Sequence, residues 1–149
     1  MFKKNKGFTL IELLVVIGIM VILMASVLVA INPFRQFALA NNANRWSGVT
    51  TIMNAVYQNV VDNRGTFNCA AGTLPATTTI MGSDTGQYNI CSCIVPTYIA
   101  NMPYDPQAGS YTDCTTHDTG YNIVRDATTG RITICAPSVQ LGESICVSR

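Results

Sequence analysis

The chain has 149 residues, 48% of them hydrophobic and 11% charged, with nine basic and eight acidic side chains for a formal net charge of +1. So even a balance, with the arginines scattered along the chain, argues against nucleic acid as a partner, because phosphate binding depends on clustered lysine and arginine. The length beyond the first apolar stretch, about 118 residues, allows one small domain and not two.

All three lysines, Lys3, Lys4 and Lys6, precede Gly7, and none follows it. That segregation is expected of a processing signal. Cutting after Gly7 leaves six arginines against eight acids, a mildly acidic mature chain of about −2. Residues 13–31 then run without a charge for about 19 residues, roughly 28 Å as a helix and close to the hydrocarbon thickness of a bilayer.

Glu12 stands at the N-terminal end of this run. An acidic residue costs roughly 2.5–3.5 kcal/mol at the bilayer centre and less near its edge, so it calls for a partner. A cut between Gly7 and Phe8 creates one, a cationic amine on the Phe8 of a neighbouring subunit. An ordinary secretory signal cut after Ala30, which would release a secreted hydrolase, fits less well. It places Glu12 in the apolar region, puts Leu28 in the cleavage motif, and leaves no convergent catalytic set. A plain single-pass anchor leaves both Glu12 and the Gly7–Phe8 junction without a role. The lysines before the run, against only Arg35 and Arg45 after it, predict that the N-terminus stays inside and the tail faces outward.

Beyond the run, Trp46, Val49, Met53, Val56 and Val60 recur at helical spacing, which predicts an amphipathic stem whose apolar face packs on the domain. Asn32-Pro33 interrupts the helical hydrogen bonding, Gly18 is a second weak point, and Asn63-Arg64-Gly65 is a stop signal. Helix from residue 8 to residue 63 would measure roughly 84 Å. Residues 68–84 read as a variable loop of Thr, Ala and Gly. Residues 87–95, 120–125 and 131–136 read as short strands, the last two joined by a hairpin at 126–130, so an antiparallel sheet on the stem is expected.

Cys69, Cys91, Cys93, Cys114, Cys135 and Cys146 all lie in this part of the chain, and their even number in an exported segment predicts disulfides. Six cysteines allow 15 pairings. Excluding a bond between Cys91 and Cys93, two apart on an expected strand, leaves about 12. Cys135–Cys146 is expected among them, and the other pairings stay open. A zinc site is disfavoured by the absence of a CxxC spacing and by a single histidine, His117, which reads as a polar surface residue and not as the base of a cysteine nucleophile.

The segment Lys6-Gly7-Phe8-Thr9-Leu10-Ile11-Glu12-Leu13-Leu14 resembles the class III signal of type IV pilins and type II secretion pseudopilins. The resemblance implies cleavage after Gly7 by a prepilin peptidase, N-methylation of Phe8 by the same enzyme, and a role for Glu12 in assembly. It also implies an α+β, pilin-like fold: a long N-terminal helix, membrane-spanning in its first half, against a small antiparallel sheet. The implied organisation is a leader at 1–7, a transmembrane and assembly helix at 8–31, a stem at 32–64 and an exported, disulfide-containing domain at 65–149. The family pattern has a proline about where Val29 stands, so this chain departs from it.

Its implied partners are copies of itself, the prepilin peptidase, the membrane and an inner-membrane assembly platform. No small-molecule substrate and no catalytic activity are implied. The implied location is an inner-membrane precursor and then an extracellular or periplasmic filament. Residues 95–106 with 120–123 are similar to the loop region of G-type major pseudopilins. There a following loop binds calcium, which would fall on Asp113, Thr115, Thr116 and Asp118. Without that likeness, Asp and Thr are simply turn formers and no cofactor is expected. A type IV pilin is the leading expectation, a pseudopilin the second, and a monomeric membrane-anchored adhesin the alternative from another class.

Overall fold

A computed structural model describes residues 7–149, so the lysines of the leader, and with them the charge asymmetry that predicts orientation, lie outside the described residues. The chain divides into two compact units, Met1–Phe37 and Ala38–Arg149. The fold is α+β.

The first unit is dominated by α1, Leu10–Ile31, none of whose 22 residues is buried. Ser26 is one of its few polar residues, and its hydroxyl donates to the Leu23 carbonyl at 2.7 Å, so no polar group is stranded on the apolar surface. Gly18 lies within the helix without interrupting it. The interruption falls at Asn32, which caps α1 in the left-handed region at φ 46°. Its carbonyl accepts from the amides of Arg35 and Gln36, and Pro33 opens α2, Pro33–Asp62. Proline is suited to that first position, since it has no amide hydrogen to leave unpaired.

In the second unit α2 buries Ala38, Asn42, Arg45, Val49, Ile52, Met53, Val56 and Asn59. Val49, Met53 and Val56 are thus core residues, as the periodicity predicts, and Val60 is half-buried. Trp46 is not a core residue. It is 43% exposed, because the buried stripe enters α2 through Asn42 and Arg45, one step earlier around the helix.

Five antiparallel strands form one sheet: β1 (Thr79–Gly82), β2 (Ser110–Asp113), β3 (Thr116–Arg125), β4 (Ile132–Ala136) and β5 (Ile145–Ser148), in the order β1-β3-β4-β5 with β2 on β3. β3 alternates buried His117, Thr119, Tyr121 and Ile123 with more exposed residues, the period of a strand with one face inward. β3 and β4 form the expected hairpin, with Arg125 opposite Ile132. Asp126 closes its turn by accepting from the amides of Thr128 and Thr129 at 2.7 and 2.8 Å.

Two expectations need correction. The loop at 68–84 contains β1, which exists because Thr79 and Ile80 pair with Ile123 and Asn122. The strand expected at 87–95 is absent; that segment holds the one-turn helix α3, Cys91–Ile94. Ile90 and Ile94, four apart, are both fully buried, a spacing that suits a helical turn better than a strand.

Candidate assembly site

The site begins with a glycine. Gly7 has open space where a Cβ would stand, and Phe8 is 87% exposed, so the junction between them is accessible. Thr9 is the N-cap of α1 and forms a capping box with Glu12. The Thr9 hydroxyl accepts from the Glu12 amide at 3.3 Å, while Glu12 Oε2 accepts from the Thr9 amide and the Thr9 hydroxyl, both at 2.8 Å. The carboxylate is therefore folded back over the helix N-terminus, where the macrodipole favours negative charge and where the chain would begin after a cut at Gly7. The Thr-x-x-Glu spacing before an apolar run is itself a legible capping signal. It was not needed to single out Glu12, but it explains how the side chain is held.

Around this terminus the chain is apolar. Phe8, Ile11, Leu13, Val15 and Val16 surround Glu12 with exposed hydrophobic surface. Among the described residues, α1 is the one helix long and apolar enough to cross a membrane. Residues 2–28 match the family model of the prokaryotic N-terminal methylation motif. This prepilin-type motif, with the apolar helix behind it, is consistent with a processed subunit of the type IV pilin or pseudopilin kind and with a membrane-anchored precursor, and in general such a motif implies peptidase processing and filament assembly. The family is structural and not enzymatic. No curated protein and no solved structure matches the chain.

Behind the prepilin-type motif, the second unit is locked covalently. All six cysteines are paired, as Cys69–Cys93, Cys91–Cys114 and Cys135–Cys146. Cys135 and Cys146 are directly opposite on β4 and β5, with Cα atoms 4.1 Å apart. Cys91 and Cys93 both sit on α3 and bond in different directions along the chain. Buried Asn59 reinforces the first of these links: its amide nitrogen donates to the carbonyls of Asn68 and Cys93, and its oxygen accepts from the Asn68 amide.

The residue that the sequence conceals is Arg45, fully buried on α2. Its Nε and Nη2 donate to the two oxygens of buried Asp105 at 2.6 and 3.1 Å, a bidentate ion pair. Asn42 and Gln107 accept from its remaining hydrogens, and Asn42 in turn donates to the Gln140 carbonyl. Burial works against ionisation of Asp105, but the bonds from Arg45 and from the amides of Gln107 and Ala108, with the guanidinium charge, outweigh it. They hold the carboxyl below its usual range. The cluster ties α2 to the segment before β2 and to the turn around Gln140.

Of the oxygen residues expected around calcium, Asp113 Oδ1 accepts from the Thr115 amide, the Thr115 hydroxyl and the Thr116 amide at 2.7–2.8 Å, which closes the turn between β2 and β3. Asp118 accepts from Gln87 Nε2 and the Gly120 amide. Among the described residues no three His, Cys, Asp or Glu side chains gather as a metal-holding group. His117 is not a surface residue: it is 4% exposed, with neither ring nitrogen hydrogen-bonded. Burial pushes its pKa down, opposed by its neighbours Asp118, Asp113 and Asp84.

Proposed function

We propose that this chain is a structural subunit of a type IV pilus, cut after Gly7 by a prepilin peptidase, methylated on Phe8 and polymerised on an inner-membrane platform. The observation that carries the reading is the capping box at the mouth of α1, which holds the only charge of a fully exposed apolar helix beside the chain end that processing would create. In a low-dielectric bundle of such helices, Glu12 of one subunit and the Phe8 amine of the next neutralise one another.

A second reading, a major pseudopilin of a type II secretion system, is favoured by the likeness of residues 95–106 and 120–123 to the loop region of such proteins. Both readings share the test. Glu12→Val should be cleaved and should accumulate in the membrane, yet sheared filaments should fall by a factor of about ten or more, because the amine is left unpaired. Normal filament yield from this variant removes the pairing. Co-purification of filaments with a secretion platform, in place of a pilus one, decides for the pseudopilin.

A further inference from the structure

The exposed charges of Ala38–Arg149 are sorted by sign along the sheet. Around the start of β3 stand Asp84, Asp113 and Asp118. Ser83 is bonded to the His117 carbonyl, Asp113 is opposite Thr116, and Asp118 is opposite both Gly82 and Ser110. At the far end, Arg125 finishes β3, Arg131 precedes β4, and Arg149 is bonded through its backbone to Ile132. Along β3 the two groups are separated by roughly 23–30 Å, seven rises from Asp118 and nine from Thr116 to Arg125.

β3 runs in the same sense as α2, for Tyr121 lies against Gly48 while Arg125 shares a recess with Tyr57 and Val60. The charge separation therefore lies along α2. Asp62 and Asp126 soften the arginine end, whereas no exposed basic side chain of this unit accompanies the three aspartates. Among the described residues the one ion pair within 4.0 Å is Arg45–Asp105, so none of the sorted charges is ion-paired with another described residue.

The ends also differ in relief. The turn at Asp113, Thr115 and Thr116 is exposed, while the arginine end has a recess of about 140 Å³ lined by Tyr57, Phe67, Leu74 and Arg125. We infer that a second copy of this chain docks head to tail on the first, its Asp84, Asp113 and Asp118 facing Arg125, Arg131 and Arg149 and its β2–β3 turn seated at the recess. This contact rests on the filament reading, in which subunits share one polarity; a head-to-tail contact is open at both ends and propagates. The charges set register and encounter more than total affinity, and salt screens them.

The test uses full-length chains expressed in cells whose machinery assembles the wild type. Arg125→Glu with Arg131→Glu makes both ends acidic; Asp84→Lys with Asp113→Lys makes both ends basic. Each variant alone should lose sheared filaments by about tenfold or more, and the two co-expressed should recover to within about threefold of wild type, because only the mixture juxtaposes opposite signs. Wild-type yield from either variant alone, or no recovery in the mixture when both accumulate with all disulfides formed, overturns the contact and leaves the filament reading intact. Absence of filaments from the wild type itself overturns that reading, and the contact with it. Where a reversed variant does not accumulate, Arg125→Gln with Arg131→Gln replaces it. A salt-sensitive loss of filaments supports the contact, and unchanged yield refutes it.

Discussion

Removing the carboxylate beneath Arg45 is the sharpest test of how the second unit is held. In Asp105→Ala the guanidinium stays buried in a fully enclosed position and loses the bonds of 2.6 and 3.1 Å, keeping the neutral acceptors Asn42, Gln107 and, at 3.5 Å, Gln140. Breaking a buried pair from one side costs about 3–5 kcal/mol, a large part of the 5–15 kcal/mol typical of a whole domain. With a urea dependence near 2 kcal/mol per molar, the midpoint should fall by about 2 M. The chain's single tryptophan, Trp46, adjoins Arg45 and is 43% exposed, so its fluorescence in detergent-solubilised protein reports the transition.

Replacing both partners, Arg45→Met with Asp105→Leu, should lie closer to wild type than either single change, because no charge is left without a counterpart. A loss under about 1 kcal/mol in Asp105→Ala would refute the assignment, since that is the scale of an exposed pair. The sign with pH is also set. A carboxyl held low in the folded state adds stability above its unfolded pKa of about 3.9, and that stability is lost as pH falls toward the folded value, so the acid limb should flatten in Asp105→Ala.

His117 gives a second pH signature: with its folded pKa pushed down, its contribution is complete above about pH 6.5 and declines as pH falls below that, and His117→Leu should remove this slope from urea midpoints measured between pH 7 and 5. At pH 7 the same variant should be no less stable by more than about 1 kcal/mol, because it removes a buried group with no hydrogen-bond partner. Gly48→Ala should destabilise by about 1–3 kcal/mol in the same urea assay, since its Cβ would meet the Tyr121 hydroxyl at 2.8 Å and that ring is fully buried. Cys135→Ser with Cys146→Ser should cost about 2–3 kcal/mol in thermal melts, as expected for a bond closing a short loop.

What could be read from the chain alone follows from how local each cause is. α1 was legible because its length and apolarity are properties of one segment, and the β3–β4 hairpin because alternation on both sides frames Asp126 and Gly130. β1 was not, since Thr79 and Ile80 become a strand only by pairing with residues more than 40 positions later. α3 was masked by Cys91 and Cys93, whose alternate spacing imitates a strand while Ile90 and Ile94 obey a helix. Arg45 was the hardest case: a charged residue on an apolar face reads as the solvent side until its counter-ion, Asp105, is brought from a loop 60 positions away.

The crossed bonds of α3 bear on resistance to proteolysis. Cys69–Cys93 and Cys91–Cys114 overlap by two residues, so every peptide bond between Cys69 and Cys114 is bridged by at least one of them. A protease that nicks the exposed threonine-rich stretch, at Thr77 or Thr78, cuts the backbone yet frees no fragment. The two pieces stay joined around their core and separate only once the disulfides are reduced.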